Sequence, residues 1–221
     1  MYFLVTAGPT REHIDSVRFL SNPSSGKVGY AIARAAAARG HRVLLISGPT
    51  YLKPPEGVVT SLVGSAREMF EISKHAHSGC DCLVMGAAVC DYTPAEPVTG
   101  KIKKTRENLT VEFVRTPDIL SSLGKEKGGR IHVGFALEVE NALENARAKL
   151  LSKNLDFIVL NDPRTFGVDT MTATIVDKGG VIAELKNVPK EKVAEVIIER
   201  AEKIYASRAK REDCENPGGP L

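Results

Sequence analysis

Three stretches of this chain have the residue types and spacing to hold an anionic ligand. Ser21-Asn22-Pro23-Ser24-Ser25-Gly26-Lys27-Val28-Gly29 places small residues and glycines ahead of an alanine-rich segment. Amides at a helix N-terminus there would face an anion; the alternative is a Ser-capped helix whose glycines serve only close packing. Lys101-Ile102-Lys103-Lys104 gathers lysines in a segment flanked by Pro and Gly. It reads either as a solvated loop or as a clamp of mobile point charges over phosphates. Lys149 and Lys153 stand i,i+4 and share one helix face, either an ordinary solvent face or two cations aimed at one polyanion.

Other chemistries are disfavoured by what the spacing lacks. The turn Ala7-Gly8-Pro9-Thr10-Arg11-Glu12 follows the first apolar run with one glycine, whereas a dinucleotide fingerprint needs G-x-G-x-x-G there. The Ser21–Gly29 stretch is no Walker A loop, because Ser21 replaces its first glycine and Val28 its magnesium-binding hydroxyl. His13, His41, His75, His77 and His132 show no zinc spacing, and no G-x-S-x-G nucleophile motif occurs. Cys80-x-Cys82 lacks the two-residue spacer of zinc or redox pairs. Cys80, Cys82, Cys90 and Cys214 therefore read as reduced thiols, the first three buried in or beside a strand.

Composition sets the outer bounds. Hydrophobic residues make up 43% and charged residues 26% of 221 residues, ordinary for a globular domain and incompatible with a disordered one. No apolar run approaches the ~20 residues of a membrane-spanning helix, and the N-terminus has no basic leader, so a cytoplasmic location and no membrane partner are expected. A net charge of +3 with 5% aromatic residues gives no footprint for nucleic acid.

These candidate residues need elements to position them. Apolar runs at Tyr2–Thr6, Arg42–Ser47, Val58–Val63, Asp81–Val89, Leu109–Arg115, Ile131–Phe135 and Phe157–Leu160 read as strands. Helices are expected at 26–39, at 66–77 behind a Ser65/Glu68 capping box, and after Thr116 with Pro117 first. Longer ones follow over 138–153 and 188–206. Thr172–Asp177 and Val181–Leu185 flank Lys178-Gly179-Gly180 as a hairpin within 171–186. Residues 93–107 read as a mobile loop or flap, 1–206 as one domain and 207–221 as a flexible tail. The fold class is α/β: a Rossmann-like, doubly wound, mainly parallel sheet with an added C-terminal β-hairpin and a flap loop. Ligands should bind at the carboxyl ends of its strands.

The motifs also resemble a family in order and spacing from residue 3 to about residue 205. They are Thr6–Glu12, Ser21–Gly29, Gly86–Tyr92, Lys101–Lys104, Thr116–Leu120, Gly134-Phe135 with Glu138, and Lys153–Asp156 followed by Asn161-Asp162. Together they resemble the phosphopantothenoylcysteine synthetases in their bacterial, CTP-dependent form, here stand-alone or as an isolated synthetase domain. The resemblance implies a ligase of coenzyme A biosynthesis. It joins 4′-phosphopantothenate to L-cysteine through an acyl-cytidylate, turning CTP to CMP and pyrophosphate with Mg2+, as a homodimer. It implies Asn22 and Lys101 as catalytic residues, Asn22 on the substrate carboxyl and Lys101 on the reacting phosphates. CTP contacts would be Ala87, Asp91, Lys101, Pro117, Asp118, Ile119, Leu120, Phe135, Lys149 and Lys153. Phosphopantothenate would meet Arg18, from the other subunit, with Asn22 and Ala88. No protein-held metal is implied, and Cys90 departs from the small residue common at its place. The same ligation with ATP, or a non-catalytic dimeric nucleotide-binding protein, are the competing readings.

Overall fold

The computed structural model describes residues 1–104, 108–137, 141–161 and 168–215, with 211–215 by backbone alone. At its centre is β1 (Tyr2–Ala7), where Phe3, Leu4, Val5 and Ala7 are fully buried. A strand apolar on both faces belongs inside a sheet covered on both sides. β1 lies between β4 (Arg42–Ser47) and β6 (Cys82–Met85), parallel to both. β5 (Val59–Leu62) lies outside β4; β9 (Ile131–Leu137) and β10 (Phe157–Asn161) continue beyond β6, also in parallel. β11 (Thr170–Asp177) and β12 (Gly180–Pro189) complete an eight-stranded sheet in the order β12-β11-β10-β9-β6-β1-β4-β5. They form an antiparallel edge, so the expected hairpin is an extension of the main sheet.

The chain builds outward from β1 through β4 and β5, then returns to β6 and builds outward on the other side. The switch point therefore lies between β1 and β6, where a doubly wound sheet opens a crevice. Alternation along β1 sends Phe3, Val5 and Ala7 toward α1 (Lys27–Ala38) and α5 (Lys190–Glu215). Leu4 joins Leu83 and Ile158 on the opposite face, against α2 (Ala66–His77), α3 (Ile119–Lys125) and α4 (Ala142–Ser152). A Cβ at Gly29 of α1 would stand 2.5 Å from that of Ala7, so only glycine lets the helix lie this close to β1.

Several local expectations need correction. The strand expected over 81–89 ends at Met85, because the residues after it leave the sheet to form the site loop. The segment 109–115 pairs only from Phe113: β8 (Phe113–Arg115) forms a separate ribbon with β7 (Tyr92–Pro94). A second ribbon, β2 (Arg11–His13) with β3 (Phe19–Ser21), occupies the stretch between the first strand and the first helix, for which no element is expected. Pro117 precedes α3 outside the helix, whose N-cap is Asp118. The terminal helix runs on to Glu215, past the expected end at 206, so 207–215 are helical. The helix expected from 138 is observed from Ala142, and 138–140, like 105–107 of the flap, Asp162 and 216–221, lies outside the described residues.

Candidate active site

The floor of the crevice is made where the turn after β1 is stitched to the loop after β6. Gly8 and Ala88 exchange backbone contacts through Ala88 N–H to Gly8 O (2.9 Å), while the Thr10 N–H donates to Ala88 O (3.3 Å). Two hydroxyls complete the seam: Thr6 Oγ1 accepts from the Ala87 N–H (3.2 Å) and Thr10 Oγ1 from the Cys90 N–H (2.9 Å). Gly26, the N-cap of α1, has φ 78° and packs against Gly8, with φ 74°. Both stand in the left-handed region that side chains resist. No side-chain oxygen caps α1, so the Ser-capped alternative does not form. The first-turn amides border the crevice instead.

Two clefts, of about 460 and 480 Å³, open from this floor and share Ala87, Val89, Asp91, Phe135 and Lys149. The first runs toward the turn before α3. It brings together every expected nucleotide contact except Lys101: Ala87, Asp91, Pro117, Asp118, Ile119, Leu120, Phe135, Lys149 and Lys153. The second runs along 22–29 and contains Asn22 and Ala88. The glycine-rich helix entrance and the lysine pair thus face adjoining halves of one crevice.

The lysines are held in specific positions. Lys149 Nζ donates to the Phe135 carbonyl at 2.8 Å, at the end of β9. Lys153 Nζ meets Asp118 Oδ2 at 2.7 Å, while Asp118 Oδ1 caps α3 through the Ser121 N–H at 2.9 Å. Burial alone would raise the Asp118 pKa, but Lys153, the Ser121 amide and Lys149 outweigh it and keep the carboxyl below its ordinary value. Lys27, at the start of α1, is paired with Asp169 at 2.5 Å. The shared centre of the two clefts thus carries one cation, Lys149, and one carboxylate, Asp91.

Asn22 sits in the second cleft with its Nδ2 donating to Ala88 O (3.2 Å) and Val89 O (3.1 Å). Both amide N–H groups are engaged on the loop, so a ligand carboxyl would have to displace one of these bonds to accept a hydrogen bond from Asn22. Arg18 and Lys101 line neither cleft. Arg18 pairs with Asp15 beside the flap, and Lys101 is exposed on that flap. Cys90 is buried, its Sγ donating to Thr10 O and Leu20 O, and burial raises its pKa; it is a packed thiol and no reactive one. Cys80 and Cys82 are buried as expected.

Sequence reasoning did not single out Thr6, Thr10 or Thr116. Thr116 Oγ1 donates to Cys90 O at 2.6 Å, joining the turn before α3 to the β6 loop. Glu12, quoted only within a motif, is buried and accepts the Ala66 N–H at 2.8 Å, capping α2. Their signal was a threonine or a carboxylate immediately after an apolar strand, too common to stand out. Lys190, 5% exposed and lining the second cleft, had no motif to mark it.

Comparison with known proteins places this crevice in context. The coenzyme A biosynthesis bifunctional protein CoaBC of Bacillus subtilis is 46% identical over 189 residues, covering 83% of this chain and 47% of that protein. The chain thus spans about half the length of the curated relatives it matches. A crystal structure of the C-terminal domain of a CoaBC protein is 40% identical, with a TM-score of 0.81 over 93% of this chain and 96% of that one. A Cab2 variant in complex with phosphopantothenate-cysteine shares the fold at 17% identity, TM-score 0.75, over 94% of this chain and 88% of that one. The match to the DNA/pantothenate metabolism flavoprotein C-terminal domain extends over residues 1–205, and the chain belongs to that family.

Proposed function

We propose that this chain is a phosphopantothenate–cysteine ligase, using CTP to activate 4′-phosphopantothenate as an acyl-cytidylate that L-cysteine then captures. The observation that carries the reading is the paired cleft. A nucleotide-sized half lined by the 117–120 turn and the two lysines adjoins a half that contains Asn22, with Ala87, Asp91 and Phe135 common to both. An adenylate-type reaction needs such a junction, because the carboxylate of one ligand must reach the α-phosphate of the other. The similarity to the C-terminal domain of CoaBC, a protein of coenzyme A biosynthesis, supports the same pathway.

In this reading the carboxylate attacks the α-phosphate, pyrophosphate leaves, and the cysteine amine displaces CMP. Both steps develop negative charge on oxygen, which preorganised cations and amides stabilise. Lys149 and Lys153 border the nucleotide, the α1 amides and Ala88 border the acyl phosphate, and Asn22 holds the carboxyl once its bond to the loop is exchanged. Lys101 and Arg18 come to the reaction from the flap and from the partner subunit. Among the described residues no three His, Cys, Asp or Glu side chains converge as a metal cage. A magnesium ion held by one carboxylate and the triphosphate would fit Asp91, the carboxylate common to both clefts, and when bound it neutralises phosphate charge.

The homodimer has support in a run of exposed apolar side chains on the two ribbons: Val17, Phe19, Leu20, Tyr92, Phe113 and Val114. No described helix is long and apolar enough to cross a membrane, in keeping with a cytoplasmic enzyme. The test is pyrophosphate release with 4′-phosphopantothenate and magnesium, comparing CTP with ATP, with and without L-cysteine. Release with CTP that becomes sustained turnover on adding cysteine is expected. Preference for ATP overturns the nucleotide, and silence with both overturns the ligase.

A further inference from the structure

Asp15 is an ionised side chain with no solvent exposure, away from both clefts and without a place in the reaction outlined above. A buried carboxylate is costly unless donors fill it. Here Oδ1 accepts the N–H groups of Val17 (2.8 Å) and Arg18 (2.7 Å), closing a turn. Oδ2 instead faces the Arg18 guanidinium and the N–H of Ile102 (3.1 Å), on the flap and 87 residues away. Burial pushes the carboxyl pKa up, but the three amides and Arg18 bring it down to about 2, as expected for a carboxylate satisfied on both oxygens.

The contact is part of a longer seam. The Val98 N–H donates to Ile14 O (3.0 Å), the Ser16 N–H to Gly100 O (3.2 Å), and Arg18 to Ile102 O (3.5 Å). Lys101 therefore lies between two anchored residues, Gly100 and Ile102. We infer that Asp15 is a positioning residue that locks the flap bearing Lys101 to the turn bearing Arg18, so that Lys101 is presented on a flap of fixed register. The part of the inference that concerns catalysis rests on the ligase reading; the locking itself does not.

Asp15→Asn separates the two oxygens' roles. An asparagine carbonyl can keep the turn, whereas its NH2 would confront the Ile102 amide and the guanidinium. Hydrogen exchange followed by mass spectrometry on the intact chain should show peptides across 98–104 exchanging at least about tenfold faster, the worth of one charged hydrogen bond. Peptides from β1 and α1 should be unchanged. Ile102→Pro, which deletes the flap donor and leaves the Asp15 turn with Val17 and Arg18 intact, should give the same pattern and serves if Asp15→Asn fails to fold. In single-turnover pyrophosphate release, Asp15→Asn should lose at least about tenfold when Lys101 is present. In a Lys101→Gln background it should lose no more than about twofold, the error of additivity. Unchanged exchange at 98–104 overturns the locking, and equal losses in both backgrounds overturn its action through Lys101. If the unaltered chain releases no pyrophosphate, the ligase reading fails on its own, and the exchange result still decides the lock.

Discussion

Lys153 and Asp118 meet at the first cleft, Nζ to Oδ2 at 2.7 Å, and the same carboxylate caps α3 through its other oxygen. The pair is partly solvated, with the Asp118 side chain 52% exposed, so the ion pair itself contributes little to stability. The cap contributes more. Asp118→Ala should cost about 1 kcal/mol in urea denaturation, the usual worth of an N-cap, whereas Asp118→Asn, itself a good cap, should cost a few tenths. Both variants release Lys153, so both should raise the apparent KM for CTP. A KM shift in Asp118→Ala alone would assign the nucleotide effect to the helix end and not to the pair.

Asn22→Asp should abolish amide formation. The new carboxylate would stand beside the substrate carboxyl and turn the two bonds from Nδ2 to Ala88 O and Val89 O into contacts between acceptors. Ala88 O keeps the Thr10 N–H and the site is exposed, so the loss should be catalytic far more than structural. Normal turnover, measured as CMP release, would remove Asn22 from the mechanism. Lys101→Gln should instead leave the fold untouched and slow acyl-cytidylate formation by ~2–4 kcal/mol, as loss of one key charge stabiliser does. A rate of pyrophosphate release equal to that of the unaltered chain would exclude Lys101.

Gly29→Ala tests how tightly α1 must approach the sheet. The added methyl would lie 2.5 Å from the Ala7 Cβ and 3.0 Å from the Thr6 carbonyl, atoms of a rigid buried strand. Overpacking of this kind costs about 1–3 kcal/mol. Since Thr6 Oγ1 also positions the Ala87 amide, nucleotide binding should weaken in parallel with the loss in urea midpoint. A variant with unchanged stability would show that α1 can shift away from β1 freely.

The legibility of the fold followed the length and period of each element. Arg42–Ser47 was read to the residue, because an apolar run bounded by His41 and by Gly48-Pro49 leaves no choice of ends. The ribbons at Arg11–His13 with Phe19–Ser21 and at Tyr92–Pro94 with Phe113–Arg115 were not, since a three-residue strand has no measurable period and its partner supplies the pairing. The lysine pair was visible as one helix face, yet its attachment to Asp118, 35 residues away, depends on a tertiary contact that spacing does not encode. Asp15 shows the same limit more sharply. It is one acidic residue in a stretch for which no element is expected, and only the folded chain brings it to Ile102.

Opposite the crevice, His77 at the end of α2 and His132 near the start of β9 form a buried histidine pair that should set the acid limit of the protein. His77 and His132 are 2% and 0% exposed, with Nε2 atoms 2.8 Å apart. One must donate and the other accept, and His132 Nδ1 has no hydrogen-bond partner among the described residues. A bare lone pair is cheaper to bury there than an orphaned N–H, which assigns the shared proton to His132 Nε2 and the other to His77 Nδ1. Burial pushes both pKa values down, that of His132 to about 3, with His77, Lys127 and Arg130 adding to the effect against Asp156. The folded pair is thus neutral where the unfolded histidines, with pKa near 6.5, begin to bind protons. Below that pH the unfolded state binds more protons, so stability falls as pH falls, by about 1.4 kcal/mol per unit for His132, with His77 acting in the same direction. From pH 6.5 to 5 His132 alone should cost about 2 kcal/mol. His132→Gln keeps a polar group but cannot titrate. The difference in unfolding free energy between unaltered chain and variant, measured in urea at pH 7.5, 6 and 5, should shift in favour of the variant as pH drops. Parallel pH profiles would mean that the carboxylates alone govern acid unfolding and that the histidine pair is charged or accessible in the folded chain.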